Sequence, residues 1–141
     1  MADSISILIG IQKDQTALIY TLWNVFQGLC FVLLGYVFSQ EHVRKSPLIL
    51  TGFSISVLLY AIGNHNAIMR AQKLVIAATE ALHQHAAADA SLRGVLTAFE
   101  APTLNQLALA HGVFTLFVAS GIWLPYLWTK LLPRIQPAAP S

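Results

Sequence analysis

From Pro47 to about Ala88 no second proline interrupts the chain, and only Gly52 and Gly63 weaken it as a helix. A helix of about 40 residues is roughly 60 Å long at ~1.5 Å per residue. That is twice the ~30 Å hydrocarbon core of a bilayer. The stretch therefore predicts a helix whose first half, 47–66, crosses a membrane and whose second half, 67–88, stands in water. The change of character falls at Gly63 and the polar run Asn64-His65-Asn66. Beyond it Ile68, Ala71, Val75, Ala78 and Leu82 recur by 3,4,3,4, the spacing of a helix-packing seam, with Arg70, Lys73, Glu80 and Gln84 pointing largely away.

Two further windows share the apolar character of 47–66. Charged residues avoid 17–40 and 104–129 almost completely, and each window exceeds the ~20 residues a span needs. Across 141 residues, 56% are hydrophobic and 10% charged, against about 45–50% and ~25% in soluble domains. Mean hydropathy is +0.63. A chain of this length is too short to bury three such helices in water. The expected fold class is all-α integral membrane, with three transmembrane helices at 17–40, 47–66 and 104–129. The second extends into water over 67–88, and a short extramembrane helix with its linker occupies 89–103.

The flanks are less regular. Segment 1–16 begins MADSIS, with an acid and no basic stretch, so a secretory signal peptide is not expected. Ile5, Leu8, Ile9 and Gln12 share a helical face that Ile7 and Ile11 blur. It reads either as an interfacial helix or as an upstream extension of the first span, with Asp14 as a cap for the span itself. Glu41–Ser46 is a short connection that makes the first two spans an antiparallel hairpin. Thr103-Leu-Asn-Gln106 has the form of a capping box that starts the third span, and Pro125 is expected to kink or end it. The tail, 130–141, is Pro-rich and expected to be disordered.

Orientation rests on basic residues near the spans. Arg44, Lys45, Lys130 and Arg134 lie in short segments on one side, while Lys13, Arg70, Lys73 and Arg93 are spread over longer ones on the other. The denser side is expected in the cytoplasm, with the N-terminus outside, in a bacterial inner membrane. A net charge of +2 with no Lys/Arg run gives no reason to expect nucleic-acid binding. Cys30, the single cysteine, has no intrachain disulfide partner.

Polar groups inside spans are costly, so they mark the candidate site. Asn24 and Gln27 on the first span, Asn64, His65 and Asn66 at the end of the second, and His111 on the third all fall in the outer leaflet. Hydrogen bonding between helices accounts for them; His65 and His111 as haem or metal ligands, or a polar pocket for a quinone or lipid headgroup, are the functional alternatives. Glu80 and His83 are spaced i, i+3 as in di-iron carboxylate bundles, with His85 nearby, but one such motif does not complete that site. No nucleophile, phosphate-loop or zinc motif occurs, and no metal or cofactor is expected.

Small residues supply the candidate interfaces. Gly28 and Gly35 are seven apart, Gly52 and Ser56 four apart, and Ala108, Gly112, Thr115 and Ala119 share a face. The seam at Ile68, Val75 and Leu82 needs a cover, and the 91–100 segment is too short and too weakened by Gly94 to supply all of it. A helix from another copy or another subunit is therefore expected on Val75 and Leu82. The expected function is a non-enzymatic multi-pass membrane protein, acting as an accessory or assembly subunit or as a homo-oligomer. Its partners would be the lipid bilayer and a further membrane subunit or copies of itself. A haem- or quinone-binding redox anchor and an oligomeric pore are the alternatives.

Overall fold

A computed structural model of the protein describes residues 2–86 and 101–131. The expected 91–100 helix, with Arg93 and Gly94, and the tail past Leu131 lie outside the described residues. Within them are four helices: α1 (Ala2–Ser39), α2 (Glu41–Lys45), α3 (Pro47–Ala86) and α4 (Leu104–Leu131). The described residues are all-helical apart from short connections, and α1, α3 and α4 are long and apolar enough to cross a membrane.

Local chemistry sets the ends of these helices. α3 runs unbroken for 40 residues through Gly63 and the Asn64–Asn66 run. Ser46 Oγ accepts from the Ile49 N–H at 3.4 Å, and Pro47 takes the first position, where no N–H is needed. At the start of α4, Gln106 N–H donates to Thr103 Oγ1 at 3.2 Å and Thr103 N–H to Gln106 Oε1 at 2.9 Å, a reciprocal capping box.

Three local expectations are narrowed or changed. Asp14 caps nothing, because α1 is continuous for 38 residues and segment 3–13 is its upstream extension. The connection between α1 and α3 is itself one helical turn, closed by an ion pair between Lys45 and Glu41 at 2.6 Å and anchored by buried Val43. Pro125 lies inside α4 and does not end it. Its ring must clear the carbonyl four residues earlier, which belongs to Gly121, where the backbone has most freedom to shift.

The chain forms two compact units, each drawing on α1, α3 and α4. Among the described residues the first comprises 2–25, 63–86 and 101–111, the second 26–62 and 112–131. In the second unit Phe26, Cys30, Val37, Val43, Leu50, Val57, Ala61, Val118 and Ile122 form one buried cluster. Phe114 meets Phe26 edge-to-face with ring centroids 5.6 Å apart, and Trp123 Nε1–H donates to Ser54 Oγ at 3.0 Å. Gly121 allows a close approach, since a Cβ there would stand 3.0 Å from Leu34 Cδ2.

In the first unit Ile19 of α1 joins Ile68, Ala71 and Val75 of α3, with Leu22, Trp23, Met69, Ala101 and Leu107 packed against them. This corrects the expectation for the seam. Ile68, Val75 and Leu82 are buried within the chain, Ile68 completely, so none of them is open to a second protein. For Ile68 and Val75 the cover comes from the beginning of α1 and of α4. Along α1, residues 5, 8, 12, 15, 19 and 22 are buried or half-buried, a 3,4,3,4,3 pattern that matches the α3 seam.

Candidate functional site

The polar residues of the first unit pair across its helices. Asn64 Nδ2–H donates to His111 Nε2 at 3.2 Å, which places the ring proton of His111 on Nδ1. The His111 ring also meets those of His65 and Trp23, with centroids 5.2 and 5.3 Å away. About three turns before Trp23 on α1 and four beyond Asn64 on α3, Gln12 Nε2–H donates to Thr79 Oγ1 at 3.1 Å. Thr79 Oγ1–H in turn donates to the Val75 carbonyl at 2.8 Å. Gln72 Nε2–H donates to the Pro102 carbonyl at 2.6 Å, tying the approach to α4 onto α3. Asn64, Gln72, Thr79 and His111 are all buried. Each such group would cost free energy if left unpaired, so these bonds fix which turn of one helix faces which turn of the next.

The six polar candidates of the apolar windows do not converge as one site. Asn64, His65 and His111 come together, whereas Asn24 and Asn66 are exposed and Gln27 is half-buried in the second unit. Among the interface candidates, Gly52, Ser56 and Gly112 are exposed and Ala108 is half-buried.

The His65 and His111 rings are ill-suited to a haem. They touch edge-to-face with centroids 5.2 Å apart, which leaves no slot for a porphyrin plane, and His111 Nε2 already accepts from Asn64. Among the described residues no three His, Cys, Asp or Glu side chains come together as a metal site. Glu80 and His83 line an open groove of about 670 Å³ with Thr79, Thr103 and Asn105, while His85 Nδ1–H donates to the Ala81 carbonyl at 2.9 Å.

A second cavity, about 340 Å³, lies within the first unit. Gln12, Thr16, Tyr20 and Trp23 line it from α1 and Gln72 and Val75 from α3, with Pro102 and Leu107 completing the wall. Its α1 residues succeed one another by about a turn, so a single helix face supplies two hydroxyls, an amide and an indole. Gln72 and Thr79 escaped the sequence reading because they sit beside seam positions rather than within an apolar window. Their one visible signal is that each comes directly after a small seam residue, Ala71 or Ala78.

No family model, curated protein or solved structure matches the chain.

Proposed function

We propose that the protein is a non-enzymatic three-span integral membrane protein, acting as an accessory or assembly subunit through glycine-bearing helix faces. The spans are 17–40, 47–66 and 104–129, and 67–88 continues the second beyond the bilayer. The N-terminus is outside and the C-terminus cytoplasmic, in a bacterial inner membrane, in keeping with the denser placement of Arg44, Lys45, Lys130 and Arg134. Exposed Leu48, Val32, Leu116 and Phe117 then face lipid.

The observation that carries the proposal is the position of the glycines. Each glycine within a helix costs about 1 kcal/mol relative to alanine. Gly121 offsets that cost by admitting Leu34, but a Cβ added at Gly28, Gly35, Gly52 or Gly112 would meet nothing within 4 Å. The chain's own packing gives these four no use. A further helix approaching closely does, because association between spans relies on backbone proximity at small residues. With the α3 seam closed from within, these faces are what the molecule offers a partner or a second copy.

Two double variants test this, Gly28→Leu with Gly35→Leu and Gly52→Leu with Ser56→Leu. Both place side chains in open space, so helix content and membrane insertion should be retained. The assembly purified in mild detergent should lose its additional mass. Unchanged mass and partners in both variants would overturn the proposal. Reporter fusions after Gln40 and near Ala88 should report cytoplasm and exterior, respectively.

A further inference from the structure

We propose that the 340 Å³ cavity of the first unit is a binding site for the head of a neutral, ring-bearing amphiphile of the quinone class. The inference is independent of the glycine faces, which lie elsewhere on the helices.

Three observations converge on that chemistry. The first is size. An apolar cavity of about 150 Å³ already takes benzene, and ligand sites begin at about 300 Å³. A space of 340 Å³ therefore holds one substituted ring, with a hydrocarbon tail leaving past Tyr20, which is 66% exposed.

The second is charge. No Asp, Glu, Lys, Arg or His lines the cavity among the described residues. A phosphate or ammonium headgroup would lose its hydration there and find no counter-charge, which is strongly unfavourable. A neutral ring carries no such cost.

The third is the arrangement of hydrogen-bonding groups. Gln72 is only 2% exposed, and one N–H of its Nε2 is used on the Pro102 carbonyl, which leaves the carboxamide its oxygen and a second N–H. Gln12 likewise uses its Nε2 on Thr79. The cavity thus presents two carboxamides, each with its oxygen as acceptor and one further N–H as donor, and the hydroxyls of Thr16 and Tyr20 as donors or acceptors. Ring carbonyls accept from the hydroxyls, and ring hydroxyls donate to the amide oxygens, so both the quinone and the quinol find partners. Trp23 and Val75 supply the apolar walls.

The test uses the full-length protein in detergent with decylubiquinone and decylubiquinol as probes. Trp123→Phe and Trp128→Phe leave Trp23 as the single tryptophan, so its fluorescence reports the cavity. Quenching should saturate at one probe per chain, in contrast to the linear quenching of a quinone dissolved in the micelle. Thr16→Phe, which fills the cavity, should abolish saturation. Tyr20→Phe, which removes only a hydroxyl at an exposed position, should weaken binding roughly 3- to 10-fold, the value of one hydrogen bond. Gln72→Leu should weaken it at least as much. Absence of saturation, saturation that survives both Thr16→Phe and Tyr20→Phe, or displacement of the probe by dihexanoylphosphatidylglycerol would each overturn the assignment.

Discussion

The two units use the same three helices and solve the packing problem differently. Residues 26–62 and 112–131 enclose an apolar cluster, with Thr115 as a buried polar residue and with aromatic contacts and the Trp123–Ser54 hydrogen bond among its details. Residues 2–25, 63–86 and 101–111 carry a narrower apolar seam with Asn64, Gln72, Thr79 and His111 buried among Ile19, Ile68, Ala71 and Val75. With the spans placed as proposed, the helices of the second unit and the Asn64–His111 end of the first lie between spans, and only the part of the first unit built from α1 before residue 17 and α3 after residue 66 stands beyond the bilayer. Between spans, lipid is as apolar as leucine, so shape and close contact must hold helices together. Beyond the bilayer the hydrophobic effect returns and a thin seam suffices, but a thin seam tolerates sliding. Paired polar groups at chosen turns remove that freedom, since slipping by one turn would leave each of them unsatisfied.

Substitutions that attack one unit at a time probe this difference. The largest effect is expected from Ile68→Asp, which removes a fully buried side chain and introduces a charge into the seam. A loss of at least ~3 kcal/mol is expected from the cavity and charge terms together. Limited trypsin digestion should then cut at Arg70 and Lys73, while the helices of the second unit remain protected. Equal loosening of both units would erase the distinction between them.

An intermediate effect belongs to the Asn64–His111 pair. Asn64→Leu or His111→Leu alone should cost about 1–3 kcal/mol, because each removes the hydrogen bond between two buried side chains. The double substitution should recover most of that loss, because two apolar groups need no partner. A thermal-unfolding double-mutant cycle reads the difference. Strict additivity would mean that the 3.2 Å contact does not couple the two residues.

The smallest effect lies in α2. The hydrogen bond and charge of Lys45, with a lesser contribution from Arg44, hold the exposed Glu41 carboxyl below its ordinary value of 4.5. A depressed folded-state value means the contribution is complete above 4.5 and fades as pH falls through the lowered one. The α2 turn should therefore loosen slightly in acid, more so at low ionic strength, and Glu41→Gln should abolish that dependence. Amide exchange at Val43 and Arg44 measures it. An acid dependence that Glu41→Gln leaves intact would assign the effect to another group.

How much of this was legible in the chain depends on where its polar residues fall. The three apolar windows are plain because charges avoid them, and Ile68 to Leu82 show their 3,4 spacing because every seam residue is apolar. The cover on that seam is hidden. Its positions on α1 include Gln12 and Gln15, which interrupt the hydrophobic period, while exposed Ile7, Ile9 and Ile11 dilute it from the other side. Counting polar residues as possible seam members would have exposed the match. The meeting of His65 with His111 has no local signature, since a lone histidine on each of two helices specifies neither register nor distance. The connection at Glu41–Lys45 reads as a loop because one turn is too short to show a period.

If α1 of the same chain covers the α3 seam, Gln12 and Thr79 must be neighbours within one molecule. With Cys30→Ala removing the native thiol, Gln12→Cys and Thr79→Cys place one thiol on each helix where the side chains now meet at 3.1 Å. Oxidation, or a short thiol-to-thiol cross-linker, should join them within one chain, leaving a species of about 15.4 kDa that releases one linked peptide pair on digestion. Cross-linking confined to pairs of chains at twice that mass would refute the intrachain cover and return the seam to a second protein.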